Sequence, residues 1–134
     1  MLVEVEDMPV HDRRVNAAVL SLYLDTFQPD HVVIEHTQAM PKNGSIASFS
    51  LGLNTGIVMG VVGAKGIPMT RVRPQAWKKS NRILGKRGKD AARALATDLW
   101  PDQAPRFKRV RDSGRADAVL IARSFMVESG RDNR

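Results

Sequence analysis

Cysteine is absent from this 134-residue chain, which excludes disulfides, zinc-thiolate and iron-sulfur centres and a cysteine nucleophile at once. Any metal chemistry must then run through oxygen or imidazole. Aromatic residues make up only 5%, so the stacking platform by which single-strand binders hold bases is missing, and Trp77 and Trp100 are read as packing residues. No apolar run is expected to reach the roughly 20 residues that a bilayer crossing takes, because the best stretch, residues 51–64, is interrupted by Gly52, Gly56, Gly60 and Gly63. The first residues, with Glu4, Glu6 and Asp7, lack the basic and then apolar pattern of a signal peptide, and a cytoplasmic protein is expected. His11, His31 and His36 have no H-x-x-x-H spacing, and there is no Walker loop, dinucleotide-binding glycine motif or serine nucleophile elbow.

What is present is an ordinary apolar share of 43% beside 26% charged residues, which suits a folded globular chain of one-domain size. The charge is unevenly spread. Residues 1–70 carry four Lys/Arg against seven Asp/Glu, a net −3, whereas residues 71–115 carry fourteen against four, a net +10. Such a concentration of positive charge makes a polyanion the favoured partner, because Lys and Arg contacts release the counterions condensed on a phosphate backbone.

Residues 2–8 alternate apolar and acidic side chains and predict a strand with one wet face, stopped by Pro9. Asp12 is placed to cap a helix through Val15, Val19, Leu22 and Phe27 that Pro29 ends. His31 to Glu35 is a short β-branched run, which predicts a strand buried on both faces with Glu35 at its C-terminal end. After a loop with Pro41 and Asn43-Gly44, Ser45 is placed to cap a helix towards Lys65. Its glycines cost helix propensity, about 1 kcal/mol each, and close backbone packing is expected to offset that. A turn and strand at residues 66–72 lead to a short helix from Pro74, then a basic loop over residues 80–88. Residues 89–100 predict a helix, residues 106–115 a basic connector, and residues 117–127 the last helix.

Sites in open α/β sheets form beyond the C-terminal ends of strands, and Glu35 ends the most apolar one. Alone it reads equally well as a surface carboxylate paired with an arginine. Asp112 and Asp117 form a second acidic group in Arg111-Asp112-Ser113-Gly114-Arg115-Ala116-Asp117, where a plain helix cap is the competing reading. Taken together, these oxygens suit Mg²⁺ or Mn²⁺, and paired ions of that kind cleave phosphodiesters.

Several motifs in order make the chain resemble a known family. Val32-Val33-Ile34-Glu35, Met40-Pro41, Ser48-Phe49 with Leu51-Gly52 and Gly56, Val72-Arg73-Pro74-Gln75-Ala76-Trp77-Lys78-Lys79, Lys89-Asp90, and Asp112 with Gly114-Arg115-Ala116-Asp117-Ala118 and Leu120-Ile121-Ala122 are similar to bacteriophage RuvC-like Holliday junction resolvases. The likeness runs over residues 5–125. It implies an α/β, RNase H-like fold with a mixed sheet flanked by helices, a homodimer, and paired nicks in four-way or other branched DNA with Mg²⁺ or Mn²⁺. By position, Glu35 resembles the family's second catalytic carboxylate and Asp117 the last. Asp112 resembles the acid before the final helix, where a histidine often follows and Ser113 stands here. All three are the expected catalytic and metal-binding residues. Lys78, Lys79 and Lys89 resemble the residues that face the DNA backbone, and the basic third of the chain adds Arg73, Arg82, Lys86, Arg87, Arg109, Arg111 and Arg115 to the expected DNA-binding set.

The departure is at the start, where the family opens on a strand bearing Ile-Asp-Pro-Gly and this chain has no such motif. Asp7-Met8-Pro9 matches a non-catalytic position, so the first strand is expected to be absent and Asp7 is not assigned its role. Three readings follow: an endonuclease that resolves branched DNA, a branched-DNA-binding protein with weak or no nuclease activity, and a basic accessory protein without preference for branches. One nuclease domain is expected over residues 1–128, with a flexible tail at 129–134.

Overall fold

A computed structural model of the chain describes residues 3–38, 40–86 and 90–130. The chain divides into two compact units, one of Met8–Arg71 and one of Met1–Asp7 with Val72–Arg134.

In the first unit, β1 (Val10–His11) and β2 (Arg14–Val15) form an antiparallel hairpin in which Val10 faces Val15 and His11 faces Arg14. The two turn residues, Asp12 and Arg13, have φ of 49° and 63°. Two consecutive left-handed residues match the right-handed twist of the flanking strands. Asp12 is therefore a turn residue and not the expected cap; Asn16 caps α1 (Ala17–Phe27), its Oδ1 accepting from the Val19 N–H at 3.1 Å. Gln28, with φ 48°, closes the other end by donating its N–H to the Leu24 carbonyl.

β3 (Val32–Glu35) pairs with β4 (Met69–Val72), and His31 Nε2 lies 2.7 Å from Thr70 Oγ1. Every residue of β3 is half-buried, where burial on both faces was expected. Among the described residues its sheet has two strands, which leaves one edge of each unpaired.

Between these strands runs α2 (Ser45–Ala64), which packs on α1. Gly44 occupies the cap position expected for Ser45. Asn54, on α2, accepts from the Val15 N–H at 3.0 Å and donates to the Arg13 carbonyl at 3.1 Å, clamping the hairpin. Two expectations about α2 fail. The helix is unbroken over 20 residues with mean hydropathy 1.6, so by length and composition it would reach across a bilayer, as many helices of folded domains also would. The close packing expected at its glycines is not there either: a Cβ built at Gly52, Gly56, Gly60 or Gly63 meets nothing within 4 Å.

The second unit is helical. α3 (Pro74–Ser80) starts with proline at a position that needs no N–H donor. It ends in a Schellman motif: Ile83 N–H donates to the Lys78 carbonyl and Arg82 N–H to the Lys79 carbonyl. Arg82 takes the left-handed position of that motif with φ 59°, where glycine is normal and a side chain costs about 1–2 kcal/mol. α4 (Asp90–Leu99) and α5 (Ser113–Glu128) pack through Ala92, Ala96 and Ala116, small residues that let the backbones approach. Two 3-10 segments, Pro101–Phe107 and Val110–Asp112, connect them and include most of the expected basic connector. Trp77, Phe107 and Leu120 are at most 1% exposed and centre the core; burying Phe107 or Leu120 contributes about 1.5–3 kcal/mol each.

The N-terminal segment joins this unit without forming the expected strand. Residues 3–8 pair with no strand among the described residues, yet Val5 is 7% exposed, and Arg106 donates to its carbonyl. Alternation put Val5 inside, but a strand also needs a neighbour for its backbone groups.

Candidate carboxylate site and nucleic-acid interface

Asp112 is the most buried ionisable residue among the described residues of the second unit, with its side chain 2% exposed. It closes the second 3-10 segment one residue before α5 begins. Arg109 meets it from the other end of that turn: the backbone N–H of Arg109 donates to Oδ2 at 2.8 Å, and its guanidinium donates to Oδ1 at 2.9 Å and, through Nε, to both oxygens at 3.2 Å. One helical turn later Arg115 brings Nη1 to 3.5 Å from Oδ1 and uses its other nitrogens on Asp7, at 2.7 and 2.9 Å. Hydrogen bonds from Arg109 hold the Asp112 carboxyl below the usual carboxylate range, although burial opposes this. Asp7 is lowered in the same way by Arg115, whose own pKa is raised chiefly by the hydrogen bond to Asp7.

Asp117 is expected at the start of the last helix; α5 instead begins at Ser113, which places Asp117 in its second turn, half-buried. Glu35 does end β3 as expected and belongs to the first unit, whereas Asp112 and Asp117 belong to the second. Among the described residues no three Asp, Glu or His side chains stand together as a ready cation cage. The donor chemistry of these carboxylates fits a hard divalent ion. At Asp112, however, both oxygens already accept from Arg109, so a cation there would have to exchange with the guanidinium.

The expected DNA-binding residues divide by environment. Arg73, Lys79, Arg82, Lys86 and Arg111 are exposed. Lys78 is half-buried, with Nζ 5.5 Å from the centre of the Trp77 ring. Arg109 and Arg115 are committed to Asp112 and Asp7. Arg87 and Lys89 lie outside the described residues.

Sequence reasoning missed Asn81 and Arg123. Asn81, 5% exposed, donates to the carbonyls of Trp77 and Leu120 at 2.8 and 3.0 Å and accepts from Arg123 Nη1 at 2.8 Å. The available signal was Arg123 itself, a lone cation in the apolar run from Val119 to Val127.

No family model matches the chain. Over 89 residues, 66% of its length, it is 35% identical to the chloroplastic Holliday junction resolvase MOC1 of Chlamydomonas reinhardtii, of which it spans 10%. Its fold matches that of Thermus thermophilus RuvC with a TM-score of 0.62 and 22% identity. It matches T. thermophilus RuvC in complex with a Holliday junction substrate with a TM-score of 0.63 and 21% identity. Each match covers 85% of this chain and 66% of the RuvC chain. The protein is thus of the RNase H-like α/β class. Within that class its fold is similar to that of RuvC, and 89 of its residues are similar in sequence to a stretch of a junction resolvase of which the chain spans one tenth.

Proposed function

We propose that this protein is a metal-dependent, structure-selective endonuclease that resolves Holliday junctions and other branched DNA by paired nicks, acting as a homodimer in DNA recombination. The observation that carries the reading is the 35% identity over 89 residues to a Holliday junction resolvase. The net +10 of residues 71–115 supports a phosphate backbone as partner. In this reading residues 1–128 work as one nuclease domain. Glu35, Asp112 and Asp117 would be the residues that hold Mg²⁺ or Mn²⁺, Asp112 only in exchange for its hydrogen bonds from Arg109. Such ions would supply charge neutralisation at the scissile phosphate and would lower the pKa of water so that hydroxide is available as the nucleophile. Arg73, Lys78, Lys79, Arg82, Lys86, Arg87, Lys89 and Arg111 hold the DNA backbone, while Arg109 and Arg115 fix the loop that carries Asp112.

The engagement of Asp112 by Arg109 favours a second reading, a branched-DNA-binding protein with weak or no nuclease activity. A four-way junction incubated with the full chain, with and without Mn²⁺, separates the two. The endonuclease reading expects symmetric nicks that need the metal and disappear in Glu35→Gln and Asp117→Asn. Salt-sensitive junction binding with no product at any metal concentration would leave the second reading standing. Equal affinity for linear duplex would remove both.

A further inference from the structure

A cavity of about 570 Å³ opens among the cap of α3, α4 and the C-terminal half of α5, well within the range of roughly 300–1,000 Å³ typical of small-molecule sites. Among the described residues three cations, Arg82, Lys86 and Arg123, line it against one carboxylate, Asp98, a net +2. The apolar part of the wall comes from Ile83, Leu95 and Val127. A lining that combines cations with apolar side chains suits a ligand that carries both a phosphate and a flat, weakly polar body.

Two features mark this as more than a basic patch. Arg123 is held from behind: Asn81, anchored to two backbone carbonyls, accepts one guanidinium N–H at 2.8 Å, which removes much of the freedom that an arginine loses on binding an anion. Arg82 occupies the left-handed position of the Schellman motif, φ 59°, where glycine would serve the fold better. A strained backbone with a charged side chain directed at a cavity is the pattern expected where function outweighs local stability.

We propose that this cavity binds a single nucleotide, its phosphate on Arg82, Lys86 and Arg123 and its base or sugar on the apolar wall, with Asn81 as the residue that positions Arg123. The inference deepens the endonuclease reading and rests on it for DNA as the source of the nucleotide: Arg82 and Lys86 are among its DNA-backbone residues, whereas Arg123, Asn81 and the apolar wall lie outside it. An unpaired nucleotide of a DNA strand and a free nucleotide offer the same chemistry.

The test is a titration of the ¹⁵N-labelled full chain with dAMP, inorganic phosphate and deoxyadenosine, followed by chemical shifts. The expected result is saturable shifts at Arg82, Lys86 and Arg123 with dAMP, affinity weaker by about tenfold for phosphate alone, and no response to deoxyadenosine. Competition by a short single strand assigns the ligand to DNA, and lack of competition to the free nucleotide. Arg82→Gly should unfold at the same or a higher temperature than the parent while losing about tenfold in dAMP affinity, a combination that a merely structural arginine would not produce. Glu35→Gln should bind dAMP like the parent, so a failed nuclease assignment and a failed pocket are told apart. Absence of saturable shifts with dAMP, or parent-like binding by Arg82→Gly, would overturn the proposal.

Discussion

Arg109 grips Asp112 from both its backbone and its side chain: the N–H stands 2.8 Å from Oδ2 and Nη2 stands 2.9 Å from Oδ1. The carboxylate is 2% exposed and the arginine side chain 48%, so one partner is sealed in the fold while the other reaches the surface. A buried charge is tolerated when hydrogen bonds replace its lost hydration, and this pair with Arg115 meets that condition. An acid expected from the sequence to bind a metal thus anchors the start of α5.

That anchoring has a pH signature. The folded pKa of Asp112 is depressed by Arg109, so its contribution to stability is fully present above the ordinary carboxylate pKa and is lost as pH falls through the depressed value, below about 4. Asp112→Asn is expected to unfold at a temperature several degrees lower than the parent at neutral pH, with the gap closing in acid. Circular dichroism melts across that range check it; a gap that stays constant with pH would show that Asp112 contributes no linkage.

Asn81 satisfies three polar groups with one buried amide. Asn81→Ala removes the side-chain donor, while the Trp77 carbonyl keeps the backbone N–H of residue 81 at 3.1 Å, and should cost about 1 kcal/mol, in the range for a lost hydrogen bond. Urea unfolding measures it. A loss under about 0.5 kcal/mol would mean that water replaces the amide.

On α2 the expected change is a gain. Nothing stands within 4 Å of a Cβ at Gly56, so Gly56→Ala should stabilise by close to the helix-propensity difference, about 1 kcal/mol. Urea titration at low protein concentration reads the monomer, and sedimentation at high concentration reads association. A fall in stability would show that another surface covers this glycine in solution.

The motif order, the basic third of the chain and the placement of Glu35 at the end of β3 were legible because each depends on neighbours in sequence. So were α3 starting at Pro74 and the burial of Trp77 and Trp100. The helix start at Ser113 was not: Asp117 looks like a cap, and only the 3-10 turn closed by Arg109 and Asp112 moves the boundary upstream. The hairpin turn at Asp12 and Arg13 was missed for a similar reason, since neither residue is glycine and the left-handed conformation is held by pairing of the flanking strands.

By itself the amino-acid sequence determined the α/β pattern of elements and the concentration of positive charge in residues 71–115, because periodicity and composition are local or additive properties, while the RNase H-like fold was implied by the motifs that resemble a known family. Tertiary structure alone decided which charges are free and which are spent. Asp7 and Arg115 meet across 108 positions, and Asn81 and Arg123 across 42. Electrostatic and hydrogen-bond energies depend on distance in space and on burial, and no linear spacing encodes either.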